Sequence, residues 1–163
     1  MHLYVKNKII SFRDYNAKCA VGKRGISIKK REGDLRTPKG SFALEYVLYR
    51  KDRTKNIQTS IKKKIIKKNM GWCNDPKSKQ YNKLIYFPFK FSAEKLYRKD
   101  HCYDIIIVIS YNRLNILKNK GSAIFLHLAK KNFTSTEGCV AVNKKTMLKL
   151  LRFINTRSRI LIR

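Results

Sequence analysis

Acidic residues are scarce in this sequence. Ten Asp and Glu stand against 39 Lys and Arg, a formal charge of +29 over 163 residues. That balance favours contact with an anionic polymer or surface, whether nucleic acid, an acidic membrane face or an anionic wall polymer. A Lys-, Ile- and Asn-rich coding bias gives the same excess on a solvated surface with no dedicated partner, and composition leaves both readings open. Long apolar runs are also missing. The longest aliphatic run, Ile105 to Ile109, is strand-sized, so no membrane span is expected. Met1 to Val5 runs at once into Lys6 and Lys8 with no apolar signal segment. As written, the chain is expected to be made and kept in the cytoplasm.

Cysteine and histidine are few and scattered. Cys19, Cys73, Cys102 and Cys139 include no C-x-x-C pair, so reduced thiols are expected, with Cys19 and Cys102 bordering the core. His2, His101 and His127 form neither a His-x-x-x-His pair nor a cluster with zinc spacing, so no structural metal and no cofactor is expected. No repeat, linker or low-complexity break interrupts the chain, and residues 1–163 read as one domain with a sizeable core.

The residues that are present favour strands. Leu3 to Val5, Ile9 to Phe12 and Ala17 to Val21 are short β-prone runs, and Asn7 suits a hairpin turn between the first two. Ser41 to Tyr49 alternates loosely. Tyr103 to Tyr111 is β-branched and nearly all apolar, as a central strand buried on both faces would be. Ile61 and Ile65 allow a short helix within a basic stretch that otherwise reads as a solvated face, and Ser92 to Tyr97 suggests another with Ser92 as its cap. After Asn143, a good N-cap, Met147, Leu148, Leu151 and Ile154 follow helical spacing for about three turns. Ile160 to Ile162 ends the chain as a strand. The fold class is therefore mainly β, a sandwich or mixed sheet with one or two helices.

Gly121 to Val142 carries the chemistry. A strand from Ser122 to Leu128 ends near His127, a polar loop follows, and Gly138-Cys139 leads into Val140 to Val142. Twelve residues apart, the His and the Cys cannot share one helical face, but adjacent strands can bring them together as base and nucleophile. A thiol of ordinary pKa, about 8.5, is mostly protonated at neutral pH, and a neighbouring imidazole can take its proton. Gly138 leaves room beside the thiol, and the backbone N–H groups of Gly138 and Cys139 can form an oxyanion hole. The bland alternative is a buried small Cys and a satisfied core His.

Thr136-Glu137-Gly138-Cys139-Val140, with His127 upstream, resembles the L,D-transpeptidase (YkuD-type) catalytic domain of cell-wall enzymes. A second segment resembles the Gly-Asp-x-x-Thr-Pro-x-Gly-x-Phe of that family through Gly33, Asp34, Thr37, Pro38, Gly40 and Phe42. Trp72-Cys73-Asn74-Asp75-Pro76 and Tyr81-Asn82 are similar to a compact branch without a signal peptide. Two positions depart from the pattern: Glu137 stands where the family has His before Gly-Cys, and Ala141 where it commonly has Arg.

The resemblance implies an L,D-transpeptidase-like β fold and acyl transfer on a peptidoglycan stem peptide or precursor. Cys139 would form a thioester with His127 as base; on the residues alone a backbone carbonyl or Glu137 could orient that base, and Glu137 could equally hold an acceptor amine. Substrate contacts fall to Trp72, Tyr111, Asn112, Thr136 and Glu137. Trp72 can equally plug the core, Tyr111 and Asn112 can simply cap a strand end, and Asp34 and Arg36 read as structural bracing. Release to water in place of an amine would make the enzyme an L,D-carboxypeptidase acting on wall precursors or fragments. An enzyme exported by another route would work in the periplasm or cell envelope. A non-catalytic basic protein holding an anionic polymer is the reading from a different class.

Overall fold

The computed structural model describes all 163 residues. The chain begins with β1 (His2–Lys6), β2 (Ile9–Phe12), β3 (Tyr15–Ala20) and β4 (Ile26–Ser27), followed by β5 (Thr37–Pro38), β6 (Gly40–Tyr49) and β7 (Lys63–Ile65). Next come β8 (Met70–Cys73), β9 (Leu84–Tyr86), β10 (Ala93–Lys95), β11 (Ile105–Ile109), β12 (Phe125–Leu128) and β13 (Val140–Val142). Helix α1 (Lys144–Leu151) and β14 (Arg159–Ile162) end it.

The first three strands form the expected meander, and Asn7 and Lys8 both take positive φ, 50° and 60°, as a tight two-residue hairpin turn requires. The main sheet runs β11-β12-β13-β3-β2-β1-β14-β6-β7. The long β6 pairs with β14 through Gly40–Ala43 and with β11 through Leu44–Tyr49, which closes the sheet into a barrel-like sandwich. Three pairings of this sheet are parallel, β1 with β14, β12 with β13, and β6 with β7, and the two short strands β4 and β5 pair in parallel beside it. A smaller sheet, β10-β8-β9, stands apart.

Strand parity divides the apolar residues into two cores. Ile105, Ile107, Leu126, Leu128, Val140 and Val142 face the barrel interior, where Met147, Leu150 and Leu151 of α1 pack. Ile106, Val108, Phe125 and Cys139 face the other way, against Trp72 and Leu96 of the smaller sheet and its flank. This second layer buries β11 on both faces, as its unbroken apolar run predicts.

Three local expectations are corrected. Residues 92–97 hold no helix: Ala93–Lys95 is a strand paired with β8, and Ser92 Oγ bonds Asn74 Oδ1 at 2.7 Å. So short a segment cannot nucleate a helix alone, whereas pairing beside Trp72 supplies partners. Ile61 and Ile65 share no helix, because the chain there is drawn alongside β6 as the edge strand β7. Helix α1 stops after eight residues, since Phe153 and Ile154 N–H groups both turn back onto the Leu150 carbonyl. Asn143 does cap it, its Oδ1 accepting from Thr146 N at 2.8 Å.

Candidate active site

The parallel pairing of β12 and β13 places the histidine and the cysteine on one face. His127 stands beside Ala141, and Leu126 beside Val140. Cys139, one residue before β13, is therefore level with Phe125 and shares the outer face with His127. Two residues along a strand and one strand across put their Cα atoms roughly 8 Å apart. Both side chains line a cavity of about 330 Å³ between the barrel's outer face and the smaller sheet. The strand holding His127 begins later than its apolar pattern suggests, because Gly121 and Ala123 have φ of 105° and 51°, incompatible with a strand.

Ala123 is not glycine, so its left-handed conformation is a local strain held by its surroundings. Its N–H donates to Asn82 Oδ1 at 3.1 Å, and its carbonyl accepts the Cys139 thiol at 3.1 Å. The Cys139 sulfur also accepts from Phe125 N–H at 3.4 Å. No hydrogen bond joins Cys139 to His127; the thiol rests on backbone. The His127 Nδ1 lies 2.9 Å from the Leu128 carbonyl oxygen, which can only accept, so Nδ1 carries the proton and Nε2 is the free base. A backbone carbonyl thus holds the ring, and Glu137 makes no hydrogen bond to it. Burial pushes the Cys139 thiol up to about 12 and the His127 imidazole down to about 4. The resting pair is a neutral thiol and a neutral imidazole.

The turn carrying the cysteine is fixed by two threonines. Thr136 Oγ1 donates to the Cys139 carbonyl at 2.6 Å and accepts from Gly138 N–H at 3.2 Å. Thr37 Oγ1 accepts from Gly22 N–H at 2.7 Å and reaches the Cys139 carbonyl at 3.5 Å. Gly138 has φ of 149°, and a Cβ there would stand 2.9 Å from the Arg36 carbonyl oxygen. The two glycine-bearing sequence segments, a hundred residues apart, thus meet directly. Within the first, Asp34 is buried: Lys29 Nζ donates to it at 2.5 Å, Lys30 N–H at 2.8 Å and Arg36 N–H at 3.1 Å. Burial alone would raise the Asp34 carboxyl, but these donors bring it down to about 2. Asp34 and Arg36 brace this loop, Arg36 also donating to Ser27 Oγ at 2.7 Å.

Of the predicted substrate contacts, Thr136 and Glu137 line the cavity and three others do not. Trp72 is fully buried, its Nε1–H donating to Asn82 Oδ1 at 2.9 Å and its ring edge-on to Phe125 at 5.0 Å, so it plugs the core beneath the site. The Tyr111 hydroxyl donates to the Lys120 carbonyl, and the Asn112 amide bonds Leu117 and Gly121; both brace the following loop. The two backbone N–H groups expected as oxyanion donors differ in their partners. Gly138 N–H is engaged by Thr136, whereas Cys139 N–H has no acceptor within the chain.

Three cavity residues escape sequence reasoning. The Tyr103 ring stands edge-on to His127 at 5.2 Å, and its hydroxyl donates to Glu94 Oε1 at 2.6 Å. The Arg98 guanidinium lies 4.9 Å from the centre of the same ring. Burial pushes the Glu94 carboxyl up, opposed by the Tyr103 hydrogen bond and Arg98. The signal present in the sequence is the four-residue spacing of Glu94 and Arg98, which form an ion pair at 3.6 Å although no helix forms there.

The family model for the L,D-transpeptidase catalytic domain (YkuD) matches residues 1–162. No curated protein matches the chain.

Proposed function

The chain belongs to the L,D-transpeptidase catalytic-domain family, whose members act on peptidoglycan stem peptides, and from that premise we propose that it transfers an acyl group through a thioester on Cys139. The observation that carries this reading is the 2.9 Å approach of the His127 Nδ1 to the Leu128 carbonyl oxygen. With Nδ1–H committed to the Leu128 carbonyl, Nε2 is the one unprotonated nitrogen in the cavity that Cys139 lines.

The steps follow from the groups present. A donor stem peptide enters with the carbonyl between its diamino acid and D-Ala beside the sulfur. The thiol turns from the Ala123 carbonyl, Nε2 takes its proton, and sulfur attacks the carbonyl carbon. The resulting oxyanion accepts a hydrogen bond from Cys139 N–H. The imidazolium returns the proton to the departing amine as the C–N bond breaks, leaving D-Ala free and the acyl group on sulfur. An acceptor amine then attacks the thioester, Nε2 takes its proton, and the thiolate leaves and is reprotonated. Attack by water gives the carboxypeptidase outcome through the same acyl-enzyme. Thr136 and Glu137 line the cavity beside Cys139, and the Glu137 carboxylate suits the amino group of an incoming acceptor.

Intact-mass measurement after incubation with a tetrapeptide stem or a carbapenem tests the reading. A covalent adduct is expected on the wild type and none on Cys139→Ala. Folded wild type that takes up neither probe would overturn the thioester and favour the non-catalytic reading; an adduct on both proteins would place the nucleophile elsewhere.

A further inference from the structure

The three most exposed large apolar side chains lie on two neighbouring segments. Leu114 is 94% exposed, Ile28 78% and Leu117 62%, whereas no other large apolar residue passes 53%. The segments are tied together. Glu32 N–H donates to the Asn119 carbonyl at 2.8 Å, Lys120 Nζ reaches the Lys30 carbonyl at 3.5 Å, and the Lys29 stem lies against Gly121. Nor is the leucine-bearing loop slack. Asn112 Oδ1 accepts from Leu117 N–H at 2.8 Å, and Asn112 Nδ2 donates to the Leu117 and Gly121 carbonyls, both at 2.9 Å. The leucines are thus held out into solvent by a built turn.

Four exposed cations lie on the same two segments: Lys30, Arg31, Lys118 and Lys120, none in an ion pair. The nearest acid in sequence, Glu32, is occupied by the Tyr81 hydroxyl. A surface made for a nucleic acid strand gains from aromatic side chains among the cations, and residues 112–120 contain none. Apolar tips beside unpaired Lys and Arg suit a lipid–water boundary, where aliphatic side chains enter the acyl region and the cations meet anionic headgroups. No helix is long and apolar enough to cross a membrane, so the contact would be peripheral.

We propose that the segments 28–31 and 113–120 dock the protein onto an anionic lipid bilayer. Lys29 and Glu32 belong to the first segment or its edge and also line the catalytic cavity, so docking sets that cavity beside the headgroups.

Co-sedimentation with vesicles tests this without reference to catalysis. The wild type is expected to bind phosphatidylglycerol-containing vesicles at near-physiological salt and to leave pure phosphatidylcholine vesicles in the supernatant. The double variant Leu114→Asn/Leu117→Asn should bind the anionic vesicles roughly tenfold or more weakly. Ile65→Asn, which removes an exposed apolar residue on the edge strand β7, should bind like the wild type. Lys118→Glu/Lys120→Glu should bind the anionic vesicles more weakly and with a shallower dependence on salt than the wild type. Both leucines are exposed, so an unchanged unfolding midpoint is expected for the double variant and confirms a fair comparison. Failure to bind anionic vesicles would overturn the proposal. So would leucine variants that bind as well as the wild type, particularly if duplex DNA competes equally for both, since the surface would then be a general polyanion site.

Discussion

Cys139 and His127 are held neutral by the same cause, burial, and each group is shifted away from the charged form. The sign of the consequence is definite. With a thiol at about 12, the thiolate fraction of the free protein rises about tenfold per pH unit across the neutral and mildly alkaline range. Alkylation of Cys139 by iodoacetamide, followed by peptide mass spectrometry, should therefore be slow at pH 7 and climb without a plateau to pH 9. A plateau with a midpoint near neutrality would mean a thiolate–imidazolium pair in the resting protein. Gly138 is constrained twice over, by its backbone angle and by the Arg36 carbonyl. Gly138→Ala should cost about 1–3 kcal/mol, read as a lowered denaturation midpoint. The residue types at these two positions were legible in the sequence. What made Gly138 necessary was not, because the carbonyl it avoids comes from the other end of the chain.

At the scale of elements, one side chain joins three of them. Asn82, at φ of 57°, accepts from Trp72 on β8 and from Ala123 ahead of β12, and donates to the Tyr111 and Asn112 carbonyls after β11. Asn82→Ala strands these buried groups and forces alanine into a left-handed conformation. A loss of about 3 kcal/mol is expected in chemical denaturation, together with faster alkylation of Cys139, because the Ala123 carbonyl that holds the thiol loses its tether. Asn143→Ala, which removes only the α1 cap, should cost about 1 kcal/mol and leave the alkylation rate unchanged. The pattern of apolar residues foretold the meander, β11 and the start of α1, since each is governed by local alternation or spacing. It could not foretell that β12 and β13 pair in parallel, which decides the face His127 and Cys139 share. Nor could it show that β10 is a strand, because that rests on pairing with Trp72 and its neighbours. Glu94 becomes a cavity residue only through that pairing.

For the molecule as a whole, a charge of +29 on a body of 163 residues works against compactness. Seven ion pairs cannot absorb it, and exposed lysines such as Lys63 and Lys64 on β7 stand unpaired. The unfolding midpoint is expected to rise with salt from low ionic strength to about 0.15 M, as screening shortens the reach of like charges to about 8 Å. A falling midpoint would show that the few buried pairs, Lys29 with Asp34 foremost, outweigh the repulsion. The closure of the sheet also has a consequence in time. The last strand, β14, is wedged between the first, β1, and β6. A ribosome making this chain at about 5–20 residues per second holds the earlier strands for roughly ten to thirty seconds before their neighbour exists. The meander β1-β2-β3 waits for nearly all of that interval with its β3 edge bare, until β13 is made, and for the whole of it with its β1 edge bare. The barrel thus assembles only once residues 159–162 have emerged, and until then that edge is open to pairing with another chain.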